Sequence, residues 1–140
     1  MITRHIAAAL ASVAAPVAVA PMSTTHPPGP FYVFFDWKSA ELDSDARTSL
    51  DNAAAAFQQV RGSKVLLAGF SDRSGTSAGN RAVARDRVEA VRTYLRYRAV
   101  PDASVVTSAF GENRPLIDTA DGVREAQNRR VEIHFIAGQQ

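Results

Sequence analysis

Apolar positions recur along this chain with two different periods, and the switches between them predict its elements. "FYVFF" (31–35) is aromatic and β-branched, which predicts a buried strand. In "DSDARTSLDNAAAAFQQVRGS", Ala46, Leu50, Ala53, Ala54, Phe57 and Val60 fall at helical spacing behind an Asp43 or Ser44 cap. Gly62 comes just past the end of that helix. "KVLLAGF" (64–70) is a continuous apolar run, as expected of a central strand covered on both faces. A second helix is predicted from Ser77 to Ala99, with Val83, Val88, Val91, Tyr94 and Leu95 facing inward. "SVVTSAF" (104–110) predicts a third strand, and "RVEIHFI" (130–136) a fourth with clean alternation. A short helical turn is expected over 122–127. Strand–helix–strand–helix–strand order predicts parallel pairs joined by crossover helices, with the last strand added to the same sheet.

Ahead of Phe31 the pattern changes character. "MITRHIAAALASVAAPVAVA" has a short basic start, an Ala-rich apolar run and small residues at Ala18 and Ala20, the architecture of a secretory signal peptide over 1–20. The run is too short, and too broken by Pro16, to predict a membrane span. "PMSTTHPPGP" (21–30) holds four prolines and reads as an extended spacer, so the folded unit is expected over 31–137.

Composition narrows the chemistry. With 46% apolar residues, a chain of 140 residues can build one core. The net charge of +2 is too small to imply a nucleic-acid partner, and fourteen of the sixteen basic residues are Arg. Cysteine is absent, which removes disulfides, thiolate metal sites, a Cys nucleophile and a thioether lipid anchor at a Cys of this sequence. Residues 72–98 carry seven Arg against Asp72, Asp86 and Glu89, and read as a solvated helix face with Arg85–Glu89 and Glu89–Arg92 pairs. Without interleaved aromatics the run is not a nucleic-acid patch.

The stretch "GFSDRSGTS" looks at first like a phosphate loop. Five residues separate Gly69 from Gly75, Thr76 stands where a P-loop needs Lys, and Asp72 would face the phosphates. "GFSDR" also fails as a nucleophile elbow, because Arg73 replaces the second glycine. His5, His26 and His134 are too far apart for a ligand pair, and His134 reads as a half-buried strand residue. No acid–base pair or nucleophile emerges, so no catalysis, metal or cofactor is expected.

What remains is a pair of opposite charges. Asp72 sits at the C-terminal end of a central strand, where open α/β sheets bind ligands, and Arg87 lies nearly three turns into the following helix. Either the two form a structural salt bridge, or they are held apart and satisfied by a zwitterion. Periodicity does not choose between these.

The residues around this pair resemble the OmpA-like peptidoglycan-binding domain. Its motif T-D-x-x-G-x-x-x-Y-N-x-x-L-S-x-x-R-A-x-x-V reads here Ser71, Asp72, Gly75, Gly79, Asn80, Val83, Ala84, Arg87, Val88 and Val91. "FDWKSAEL" (35–42), "GENRP" (111–115) and "NRRVEI" (128–133) resemble three further family blocks, in order. The resemblance implies an α/β two-layer sandwich, β-α-β-α-β-β with a mixed sheet, that binds the cell wall without covalent chemistry. It implies that Asp72 takes the ammonium of diaminopimelate in the stem peptide and Arg87 its carboxylate. Asn80 and Val83 would line the site, Ser71 would replace a threonine hydroxyl, and Asp36 and Arg130 would contribute at second rank. Gly79 replaces a family aromatic, Ala84 a hydroxyl, and Lys38 reverses a charge in the first block. The expected location is the periplasm, with outer-membrane association through a partner or a retained N-terminal segment. The competing reading is a structural adaptor of the same fold acting through an envelope protein.

Overall fold

A computed structural model describes residues 28–60 and 62–136 of the protein. The expected signal segment lies outside the described residues, as does the spacer up to residue 27. The elements are β1 (Phe31–Phe34), α1 (Ser44–Gln59), β2 (Lys64–Phe70), α2 (Ser77–Tyr97), β3 (Val105–Gly111) and β4 (Arg130–Ile136). Single 3-10 turns at Asp102–Ser104 and Ala126–Asn128 flank β3 and β4. The Asp43 carboxylate caps α1 by accepting from the Ala46 N–H at 2.7 Å. At α2 the Thr76 hydroxyl accepts from the Gly79 N–H at 3.0 Å.

The sheet runs in the order β1-β4-β2-β3. β2 and β3 pair in parallel across α2, as the sequence predicts. β1 and β2 do not pair: β4 inserts between them, antiparallel to both. Alternation in β4 explains its fitness for that place. Val131, Ile133 and Phe135 are buried under the helices, while Arg130, Glu132 and His134 take the other face.

Both helices lie on one face, giving a two-layer sandwich. Val33, Phe35, Val65, Leu67, Val131 and Ile133 meet Leu50, Ala53, Val88, Val91 and Leu95 in one core. The C-terminal half of β2 is buried on both faces, as its apolar run predicts, but helices cover only one of them. On its other face, Phe70 is covered by the stacked Phe110 ring (centroids 5.3 Å apart) and by the Arg130 guanidinium, 3.9 Å from the ring centroid. Gly69 sets how closely α2 approaches the sheet, since a Cβ there would lie 2.5 Å from Val88 Cγ2 and 2.6 Å from the Ala84 carbonyl oxygen.

Candidate functional site

α2 puts Asn80, Ala84, Arg87, Val88, Val91 and Leu95 on its buried stripe. Arg87 thus occupies a position that the helical period assigns to the core, and it is 1% exposed. Its charge is met by backbone carbonyls rather than by a carboxylate. Nε donates to the Ser39 carbonyl at 2.8 Å, and one terminal nitrogen to the Phe70 carbonyl at 3.1 Å. The other terminal nitrogen donates to the Asp36 carbonyl at 3.0 Å. A guanidinium has five N–H donors, so two remain for another acceptor. The Cζ atom also sits 5.3 Å from the centroid of the Phe35 ring. Burial pushes Arg87 down to about 10, with the Asp72 charge opposing and the Arg129 charge adding to the shift. It remains cationic at neutral pH.

Asp72 lies two residues past the end of β2 and is 2% exposed. Oδ1 accepts from the Ser74 hydroxyl at 2.6 Å and the Ser74 N–H at 3.2 Å. Oδ2 accepts from Arg129 at 3.1 Å and from the Glu125 N–H at 3.3 Å. Burial alone would push this carboxyl up. The Ser74 hydroxyl, Arg129 and the two N–H groups outweigh it and hold Asp72 below the ordinary carboxylate range. Gly75, at φ +82, lets the chain turn from this loop into the Thr76 cap.

Asp72 and Arg87 do not form an ion pair with one another among the described residues: the acid is paired with Arg129 and the cation with carbonyls. Both line a cavity of about 460 Å³ between the β1–α1 loop and the start of α2. Ser71, Asn80 and Val83 line it too, with Trp37, Lys38, Ser74 and Gly79. The Asn80 side-chain amide nitrogen is buried there without a partner. Ser71 Oγ donates to the Asp72 carbonyl at 2.9 Å. Trp37 closes one lip, its indole N–H donating to Ser74 Oγ at 2.9 Å.

A family model described as the OmpA family matches residues 34–129, across both walls of this cavity. The chain belongs to the OmpA family. Over 100 residues it is 35% identical to the peptidoglycan-associated lipoprotein of Pseudomonas putida, covering 71% of this chain and 60% of that one. An outer membrane protein of Gluconacetobacter diazotrophicus is 34% identical over 109 residues, 74% of this chain and 29% of its own length. The chain therefore spans between about a third and three fifths of these relatives. The crystal structure of the Burkholderia pseudomallei peptidoglycan-associated lipoprotein superposes with a TM-score of 0.69 at 30% identity, covering 75% of this chain and 89% of that one. The C-terminal domain of Helicobacter pylori MotB (TM-score 0.68, 21% identity; 80% and 88% of the chains covered) shares the fold.

Within this OmpA-family domain, two of the expected site residues fall elsewhere. Arg130 does not reach the cavity. It lies on the opposite face of the sheet, against Phe70 and paired with Glu132 at 2.6 Å. Asp36 is exposed and gives the site only its backbone carbonyl, to Arg87. The neighbour of Arg130 reaches Asp72 instead: Arg129 donates to its Oδ2 from outside the cavity lining, and to the Phe35 carbonyl at 2.9 Å. Strand parity was the available signal. Arg129 shares its parity with Val131 and Ile133, which face the helices, whereas Arg130 shares its parity with Glu132 and His134. Trp37 carried no such signal, because its partner Ser74 is 37 residues away. Among the described residues no helix is long and apolar enough to cross a membrane, and no cluster of His, Asp and Glu could hold a metal.

Proposed function

We propose that this domain binds peptidoglycan non-covalently in the bacterial envelope, gripping the diaminopimelate of the stem peptide. The observation that carries the reading is Arg87: a buried cation facing a cavity of about 460 Å³, with two donors unspent and no carboxylate partner among the described residues. A ligand carboxylate supplies the missing counter-charge, and the planar fork of the guanidinium suits it. Asp72 takes the ligand ammonium. Its four acceptor positions are filled in the free protein, so the ammonium replaces the Ser74 hydroxyl, whose oxygen already accepts from Trp37. Asn80 offers its unpartnered amide to a ligand oxygen, and Val83 packs against the aliphatic chain that joins the charged end to the peptide. These are binding contacts only; no bond is made or broken.

Family membership and the named relatives support an envelope location in contact with the wall. A few charge-assisted hydrogen bonds, at about 1.5–3 kcal/mol each, less the cost of ordering the ligand, correspond to dissociation constants of roughly micromolar to millimolar. That range suits a tether to a polymer that repeats its site.

Sedimentation with purified sacculi tests the proposal. The wild-type chain should pellet with the wall, and Asp72→Asn and Arg87→Lys should each remain mostly in the supernatant while keeping the wild-type circular dichroism. A folded variant of either kind that pellets like wild type overturns the assignment. A wild-type chain that stays in solution favours the adaptor reading instead.

A further inference from the structure

Resting on the reading above, we propose that Lys38 makes the cavity select a ligand that carries a second free carboxylate, at the other end of the diaminopimelate chain from the one taken by Arg87. The charge on the cavity walls motivates this. Asp72 already has a cation, Arg129, at 3.1 Å. Arg87 and Lys38 both line the cavity, and neither forms an ion pair among the described residues. A third cation, Arg124, stacks on the Trp37 lip with its Cζ 3.2 Å from the ring centroid. Two cations without counter-charges therefore face a cavity whose one acid is matched.

Lys38 is held at this rim. Its Nζ sits 4.5 Å from the Trp37 ring centroid, and Trp37 is in turn fixed by its hydrogen bond to Ser74. Its backbone takes φ 55, a left-handed conformation that few residues other than glycine adopt, so the β1–α1 loop turns sharply where the ammonium is presented. A head with one ammonium and one carboxylate is neutral and leaves the positive excess in place. A ligand with two carboxylates and one ammonium carries the charge that the excess calls for. In a stem peptide this is a diaminopimelate whose α-carboxylate is free, as at the end of a tripeptide. Extending the peptide or amidating that carboxylate removes the second charge.

NMR titration of the full chain with the tripeptide L-alanyl-D-glutamyl-diaminopimelate, and with the same peptide amidated at the diaminopimelate α-carboxyl, tests this. Lys38 is exposed, and an exposed ion pair supports about a three- to fivefold preference for the free acid at low salt. Lys38→Met should bring the ratio close to one, while Lys38→Arg should keep the preference. A ratio in Lys38→Met equal to that of wild type overturns the role of Lys38, as does a wild-type chain that binds both peptides equally. If wild type binds neither peptide, the diaminopimelate reading itself fails and this inference falls with it.

Discussion

At the scale of single residues, Arg87 is a structural member as much as a binding group. Its three hydrogen bonds tie the β1–α1 loop, through Asp36 and Ser39, to the end of β2 at Phe70. Arg87→Ala therefore strips donors from three carbonyls and leaves a cavity. The expected cost is about 2–4 kcal/mol of stability, read as a lowered denaturant midpoint. Truncating the arginine therefore mixes lost binding with lost stability, and Arg87→Lys separates the two effects better. Asp72 carries the pH dependence. Its carboxyl titrates lower in the folded than in the unfolded chain, so the unfolded state binds more protons in acid. Its contribution is complete above the unfolded value of about 4 and is lost as pH falls through the lower folded value. Asp72→Asn should flatten the acid limb of a stability–pH curve below about pH 4 and leave its neutral shape alone, as followed by urea titration at several pH values. Asp72 and Arg87 were legible as a charged pair, since both stand at the end or on the flank of a predicted element. Their separation was not, because the carbonyls that satisfy Arg87 come from a loop 48 and 51 residues away.

At the scale of elements, contact between α2 and β2 positions the whole cavity. The helix carries Asn80, Val83 and Arg87, the strand end carries Ser71 and Asp72, and Gly69 lets the two touch. In Gly69→Ala the new methyl would meet the backbone carbonyl of Ala84, which cannot swing aside as a side chain can. That substitution should cost about 1–3 kcal/mol, measured by thermal or chemical unfolding, and should weaken ligand binding by displacing α2. The strands and α-helices were readable within one or two residues, whereas the short turn expected over 122–127 lies at Ala126–Asn128. Asp43 caps α1, and the stripe of Ala46, Leu50, Ala53 and Ala54 is buried as its period requires. Strand order was less readable. Alternation in β4 shows one buried face, but which neighbours it separates depends on pairings across the whole domain, which no local period encodes.

At the scale of the molecule, the basic character divides into distinct jobs. Most of the arginines of α2 decorate its solvent side, where Arg92 pairs with Glu89 at 3.4 Å and both Arg92 and Arg96 reach Asp102. Arg87 alone among that helix's arginines is buried, and Arg129 joins it from the loop before β4. Counting charges along the sequence blends these roles; only the helical stripe and the strand parity pull them apart. The departures from the family motif also make sense together here. Gly79 leaves its lip of the cavity without a side chain, while Trp37 and Lys38 build up the lip on the β1–α1 loop.

The most direct measurement compares two stem peptides that differ only at the third residue, diaminopimelate in one and lysine in the other, by NMR titration of the wild-type chain. Lysine keeps the ammonium for Asp72 and lacks the carboxylate for Arg87. The diaminopimelate peptide should bind at least about tenfold tighter, the worth of one charge-assisted hydrogen bond, with shifts centred on Asp72, Asn80 and Arg87. Equal affinities, or shifts confined to residues outside the cavity, would contradict the account.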